Sequence, residues 1–190
     1  MNFDIDITWE YGWKHFFGFR DLSNSNDTLF VAIVRNPYDW INSFYENPYH
    51  LCDEVKINYV SFLNNTIYSF YNDNPGEIME DRNILTGERY KNIFELRHIK
   101  LQYLLQTLPL KVTNYILIRY EDLLYDFNNT IQKFEIFLPI KNKNLYPINT
   151  TIDIKRETNY ISKKYDYISK EMINQQPDFN ITYEKQLNYL

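Results

Sequence analysis

The sequence predicts an α/β fold, a parallel sheet flanked by helices, and three observations carry that prediction. Leu29 to Val34 is a short, unbroken apolar run with β-branched members, as in a strand buried on both faces. Tyr115 to Ile118 is a second such run. Each ends at an arginine, Arg35 or Arg119, and each leads directly into a helix start. An apolar strand that delivers a charged turn and then a helix, twice in one chain, is the pattern of a parallel sheet whose ligands bind at the carboxyl ends of its strands.

In chain order the first element is Phe3 to Trp9, where Phe3, Ile5 and Ile7 alternate with Asp4 and Asp6 at the period of a strand. The Ser23 to Asp27 cluster reads as a loop before the Leu29 to Val34 strand. Asn36-Pro37 then supplies an N-cap followed by proline at the first helical position, so a helix is expected to run to about Tyr45. Two amphipathic helical segments follow. One places Val60, Leu63, Ile67 and Phe70 on a shared face, and the other Ile93, Leu96, Leu101, Leu104, Leu105 and Leu108. After the second apolar strand, Tyr120-Glu121-Asp122 leads into a helix with Leu123, Phe127, Ile131, Phe134 and Leu138 inward, ended by Pro139. A last helix is expected from about Asn159 to Asn174, with Ile161, Tyr165, Ile168 and Met172 on one face.

Composition bounds the classes of function. A chain of 190 residues, 44% hydrophobic and 24% charged, has the size and apolar content of one globular domain, and residues 1–190 read as a single unit. A net charge of −5 and a pI near 5.2 argue against a general nucleic-acid binder. Cys52 is the single cysteine and there are three histidines, so neither an internal disulfide nor a cysteine-rich metal site is expected, and no metal is assigned. No stretch approaches the roughly 20 apolar residues of a membrane span, and the chain reads as cytoplasmic. The 18 tyrosines and 13 phenylalanines could line a sugar-binding cleft, but most of that aromatic content belongs to the core or to composition.

The segment with the clearest chemistry is Arg35-Asn36-Pro37-Tyr38-Asp39 through Ser43-Phe44-Tyr45. A guanidinium at a strand end can grip a phosphate with paired hydrogen bonds. The helix that follows offers unpaired N–H groups and the positive end of its dipole, and Ser43 adds a hydroxyl two turns on. The plainer alternative makes Arg35 an ion-pair partner of Asp39 and Ser43 a surface residue.

That segment resembles the 3′-phosphate-binding motif of the sulfotransferase family, which has a P-loop NTPase-like fold. The resemblance implies PAPS (3′-phosphoadenosine-5′-phosphosulfate) as donor, with Arg35 and Ser43 on its 3′-phosphate. Gly12-Trp13-Lys14-His15 resembles the strand end where cytosolic members carry a lysine and a catalytic histidine. His15 is thereby the candidate general base and Lys14 the candidate for stabilising the bridging oxygen. On a strand, adjacent residues point to opposite faces, so the two do not serve one site equally well. A histidine has a pKa suited to taking the acceptor's proton at neutral pH. Tyr115 to Leu123 is similar to a late strand and Tyr-Glu-Asp-Leu turn of the family, in which Glu121 and Asp122 sit where carboxylates cap the next helix. Tyr90 to Lys100 resembles a stretch of bacterial and viral members and carries no assigned duty. Lys155-Arg156 resembles a basic pair that reaches the 3′-phosphate in cytosolic relatives, but that motif's glycine is absent, which favours a solvated charge pair.

The family's first phosphate loop, a Gly-Thr-Thr type turn that cradles the 5′-phosphosulfate, has no counterpart here. Gly12, Gly18, Gly76 and Gly87 are isolated, and none precedes a Thr-Thr or Lys-Ser pair. The family's first strand is missing with it, and three explanations stay open: sequence upstream, a second chain that supplies the loop, or a repurposed copy in which Phe3 to Trp9 fills part of the gap. The expectation is a PAPS-dependent sulfotransferase acting on a hydroxyl or amine of a small-molecule or carbohydrate acceptor. The alternative is a sulfotransferase-like remnant or nucleotide-binding module without turnover.

Overall fold

A computed structural model describes residues 22–48, 51–70, 76–137, 152–153, 158–159 and 167–190. The expected strand at Phe3 to Trp9 lies outside them. Strand β1 (Leu29–Val34) ends at Arg35, and helix α1 (Pro37–Glu46) opens one residue later. Its start is built as the sequence suggests. Pro37 occupies the first helical position and the Asn36 side chain accepts from the N–H groups of Tyr38 and Asp39. Helix α2 (Tyr59–Asn64) is likewise capped by an asparagine, with Asn58 accepting from Ser61.

Beyond α2 the chain departs from expectation. Instead of one helical face running to Phe70, it turns extended at Asn65, and Ile67 and Phe70 form single bridges with Tyr90 and Glu77. The Ile67 N–H donates to the Tyr90 carbonyl at 2.8 Å, a long-range bond that β-branched Ile67 accommodates more readily in extended backbone. Val60, expected to face inward, is 55% exposed.

Helix α3 (Ile93–Gln102) runs into a π-helical turn, Tyr103–Thr107, and then a short helix α4 (Leu108–Lys111). Pro109 explains the widened turn. It lacks an N–H and its ring clashes with the carbonyl four residues back, so the ladder shifts to bonds such as Leu108 N–H to Tyr103.

Strand β2 (Asn114–Arg119) pairs parallel with β1 in the register Leu29 with Asn114 through Val34 with Arg119. The helix expected after it is two, α5 (Tyr120–Tyr125) and α6 (Phe127–Gln132), broken at Asp126, whose φ of −140° is not helical. Two-residue strands β3 (Ile152–Asp153) and β4 (Thr158–Asn159) pair antiparallel. Two helices follow, α7 (Tyr167–Asn174) and α8 (Ile181–Gln186), and Asn159, expected to open the last helix, stands instead in β4.

The architecture is therefore mixed α/β, with a two-stranded parallel sheet flanked by helices among the described residues. One cluster of buried side chains joins α1, α2 and α3 through Ile41, Phe62, Leu63, Ile93 and Phe94. A second packs Ala32 and Val34 of β1 against Leu101 and Leu104 and against Tyr183 and Leu187 at the C-terminus. The expectation that β1 is buried on both faces is corrected: Val31 and Ile33, pointing away from that second cluster, are 43% and 58% exposed. Ile116 and Ile118, their partners in register on β2, are buried.

Candidate site at the carboxyl ends of the strands

Parallel pairing brings the two charged turns, Arg35-Asn36 and Arg119-Tyr120-Glu121, side by side at one end of the sheet. Arg35 is half-buried; its guanidinium lies over the Tyr120 ring, 4.9 Å from the centroid, and its Nε is buried without a hydrogen-bond partner. Among the described residues it makes no ion pair, so the reading of Arg35 as the salt-bridge partner of Asp39 is not what the geometry shows. A guanidinium held by a ring face with an unused buried N–H retains donors for an external acceptor.

Its main chain is held as well. Arg97 of α3, 6% exposed, donates from Nη2 to the Arg35 carbonyl at 2.8 Å. The same guanidinium makes a two-point ion pair with Glu184 of α8 at 2.6 and 2.8 Å and lies 5.1 Å from the centre of the Trp40 ring. Both partners are almost fully buried. Strand end, central helix and C-terminal helix thus meet at one buried charge pair.

The expectation of unpaired N–H groups at the start of α1 is corrected. The Asn36 side chain takes those of Tyr38 (3.0 Å) and, weakly, Asp39 (3.5 Å); Trp40 N–H bonds the Asn36 carbonyl; Pro37 has none. The Asn36 N–H itself donates to Glu121 Oε1 at 2.8 Å. Glu121 therefore does not cap the following helix, and Asp122 instead pairs with Arg119, its Oδ1 3.0 Å from Nε. Tyr189 completes the arrangement by donating from its hydroxyl to Glu121 Oε2 at 2.9 Å. Burial and the adjacent Glu121 charge hold the Tyr189 phenol well above its ordinary pKa, which keeps it a donor. Arg119 also donates to the Leu187 carbonyl at 3.2 Å, tying the same C-terminal stretch to β2.

Asp39 stands one turn into α1. Burial raises its carboxyl above the usual range, the Arg35 charge draws it back, Glu121 pushes it up again, and Lys170 draws it down. Asp39 thus lies among the charges of Arg35, Glu121 and Lys170. Ser43 lies on α1 on the same side as Asn36, two turns or about 10 Å further along the axis at ~1.5 Å per residue, and is partly buried. Lys14, His15, Lys155 and Arg156 lie outside the described residues.

Three residues of this site were not singled out from the sequence. Arg97 falls in the Tyr90 to Lys100 stretch that had no assigned duty. Glu184 and Tyr189 belong to a C-terminal segment without a motif; a buried acid near the chain end leaves no local signal when its partner is 87 residues away. A cleft of about 330 Å³ lined by Glu54, Val55, Asn64, Asn65, Thr66 and Tyr68 contains none of the expected site residues. No helix among the described residues is long and apolar enough to cross a membrane. Among them, no cluster of three or more His, Cys, Asp or Glu side chains is arranged to hold a metal ion.

No family model, characterised protein or solved structure matches the chain.

Proposed function

We propose that the chain is a PAPS-dependent sulfotransferase domain in which Arg35 grips the 3′-phosphate of the donor and Ser43 adds a hydroxyl to the same group. The observation that supports this most is Arg35 itself. It stands at the carboxyl end of a parallel strand, its carbonyl braced by Arg97, its ring contact fixed by Tyr120 and its buried Nε without a partner. Ligands of α/β sheets bind at this end of the strands, and a fixed guanidinium matches the geometry of a phosphate.

In the reaction, a hydroxyl or amine of the acceptor attacks the sulfur in line, and the S–O bond to the donor's 5′-phosphate breaks. The product nucleotide, 3′-phosphoadenosine-5′-phosphate, departs, and the acceptor's proton passes to His15. Lys14 stabilises charge on the bridging oxygen, and Lys155 with Arg156 adds positive charge for the 3′-phosphate. The acceptor is a small molecule or carbohydrate.

A nucleotide-binding module without turnover is the second reading. It is favoured by the absence of any Gly-Thr-Thr turn from the 190 residues and by the internal satisfaction of the α1 N–H groups. Calorimetry with 3′-phosphoadenosine-5′-phosphate on the wild type and on Arg35→Ala tests the shared premise. Saturable binding that the variant loses supports the donor site. A folded wild type that does not bind, or binding indifferent to Arg35, refutes it. Formation of a sulfated product from PAPS and an acceptor panel then separates enzyme from binding module.

A further inference from the structure

We propose that Glu121 is the specificity-determining residue of the Arg35 site, selecting a phosphate monoester, which can donate a hydrogen bond, over a sulfate monoester, which cannot. The inference rests on the reading of Arg35 as a phosphate ligand and names which anion that ligand takes.

Glu121 sits in the turn that faces Arg35-Asn36 across the parallel pair. Its Oε1 accepts from the Asn36 N–H at 2.8 Å and its Oε2 from the Tyr189 hydroxyl at 2.9 Å. A carboxylate has about four lone-pair positions, so each oxygen keeps one acceptor position after these two bonds. The bonds also fix the group, because one anchors it to the backbone at the start of α1 and the other to the C-terminal segment. Arg35 adjoins it through the pairing of the two turns: its guanidinium lies over Tyr120, the residue before Glu121, and the N–H that Glu121 Oε1 holds belongs to Asn36, the residue after Arg35.

An anion held by Arg35 would thus lie beside Glu121, with the guanidinium as donor and the carboxylate as acceptor. The N–H groups of the α1 start cannot soften that contrast, since the Asn36 side chain, the Asn36 carbonyl and Glu121 already take them. A phosphate monoester near pH 6 retains one proton on part of its population and can donate P–O–H to Glu121. A sulfate monoester carries the same single negative charge with no proton. It would set an oxygen against a carboxylate with nothing between them, and a site built around a hydrogen bond rejects the analogue that cannot make it. The chemistry selected is thus a nucleoside phosphate rather than a sulfated compound. This suits a site that must hold the 3′-phosphate of a donor whose other end carries the sulfuryl group.

The test compares adenosine 3′-phosphate with adenosine 3′-sulfate by calorimetry at pH 6, on the wild type, Glu121→Gln and Arg35→Ala. The wild type is expected to prefer the phosphate by about tenfold or more. Glu121→Gln, which can turn an amide N–H toward either ligand, is expected to bring the two affinities within about twofold. Arg35→Ala is expected to lose both. Equal affinities in the wild type, or a preference that survives in Glu121→Gln, overturn the role of Glu121 while Arg35-dependent binding keeps the site. Failure of the folded wild type to bind either nucleotide overturns the site and the inference together. If Glu121→Gln does not fold by circular dichroism, Tyr189→Phe replaces it. Release of Oε2 is then expected to reduce the preference severalfold, and an unchanged preference overturns the proposal.

Discussion

Removing the acid from the buried Arg97–Glu184 pair should destabilise the protein more than any exposed ion-pair change. Both side chains are almost fully buried and joined by two bonds of 2.6 and 2.8 Å. In Glu184→Ala the Arg97 guanidinium stays buried with one carbonyl and one ring face as neighbours, and breaking a buried pair in this way costs about 3–5 kcal/mol. The bond from Arg97 to the Arg35 carbonyl survives, which places the expected loss near the lower end, about 3 kcal/mol. Against a typical total stability of about 5–15 kcal/mol that is a large fraction. For a chain of this length it lowers Tm by roughly 6–12 °C. Urea unfolding of the wild type, Glu184→Ala, Glu184→Met, Arg97→Met and the doubly substituted Arg97→Met/Glu184→Met measures it, the last three closing a double-mutant cycle with the wild type. The double variant should lie well above the sum of the singles, because apolar side chains of similar volume leave no charge to strand. A loss below about 1 kcal/mol in Glu184→Ala, or additive losses in the double variant, would show that the pair is neither isolated from water nor coupled.

Two further outcomes follow from local contacts. Asn36→Ala removes the acceptor for the Tyr38 and Asp39 N–H groups and is expected to cost about 1 kcal/mol in urea unfolding, with Asn36→Asp restoring most of it; equal losses in both would refute the cap. Glu77 accepts from both Arg89 and Arg82, and Arg89 first, then Arg82, hold its carboxyl below the ordinary value of 4.5 against a partial upward push from burial. A depressed folded pKa stabilises above the unfolded value and is lost as pH falls through the folded one. Wild type should therefore melt above Glu77→Gln at pH 7, and the gap should close as pH is lowered below about 4.5. A Glu77→Gln variant that melts with the wild type at pH 7 contradicts the pairing.

What was legible in the sequence was local. The apolar run of β1, the Asn36-Pro37 helix start and β2 ending at Arg119 are each specified within a few neighbouring residues, and each stands within a residue or so of its expected place. The errors arise where a distant partner decides. Ile67 fits a helical face by spacing, yet its N–H is taken by Tyr90, and the helix stops before it. The break at Asp126 has no proline or glycine to announce it. At the site, the residue type and turn of Arg35 were readable. The capture of the Asn36 N–H by Glu121 was not, because Asn36 and Glu121 come together only through the strand pairing. The Arg97–Glu184 pair was hidden for the same reason, since a single acid on a six-residue helix reads as a solvated charge.

The parallel pairing has a kinetic consequence. Asn36 and Glu121 are 85 residues apart in sequence, the same separation that the β1–β2 register imposes on every strand pair. Closing a flexible loop of that length costs about 4 kcal/mol in chain entropy beyond a constant, with little return until several contacts form together. Helices α1 and α3, built from neighbours, can form and collapse on Phe62 and Ile93 first, whereas the strand ends meet only when the sheet zips. The cluster of Arg35, Glu121 and Tyr189 is therefore expected to assemble late in folding. A chain arrested before the strands pair would hold its apolar cluster without the Arg35–Glu121 turn.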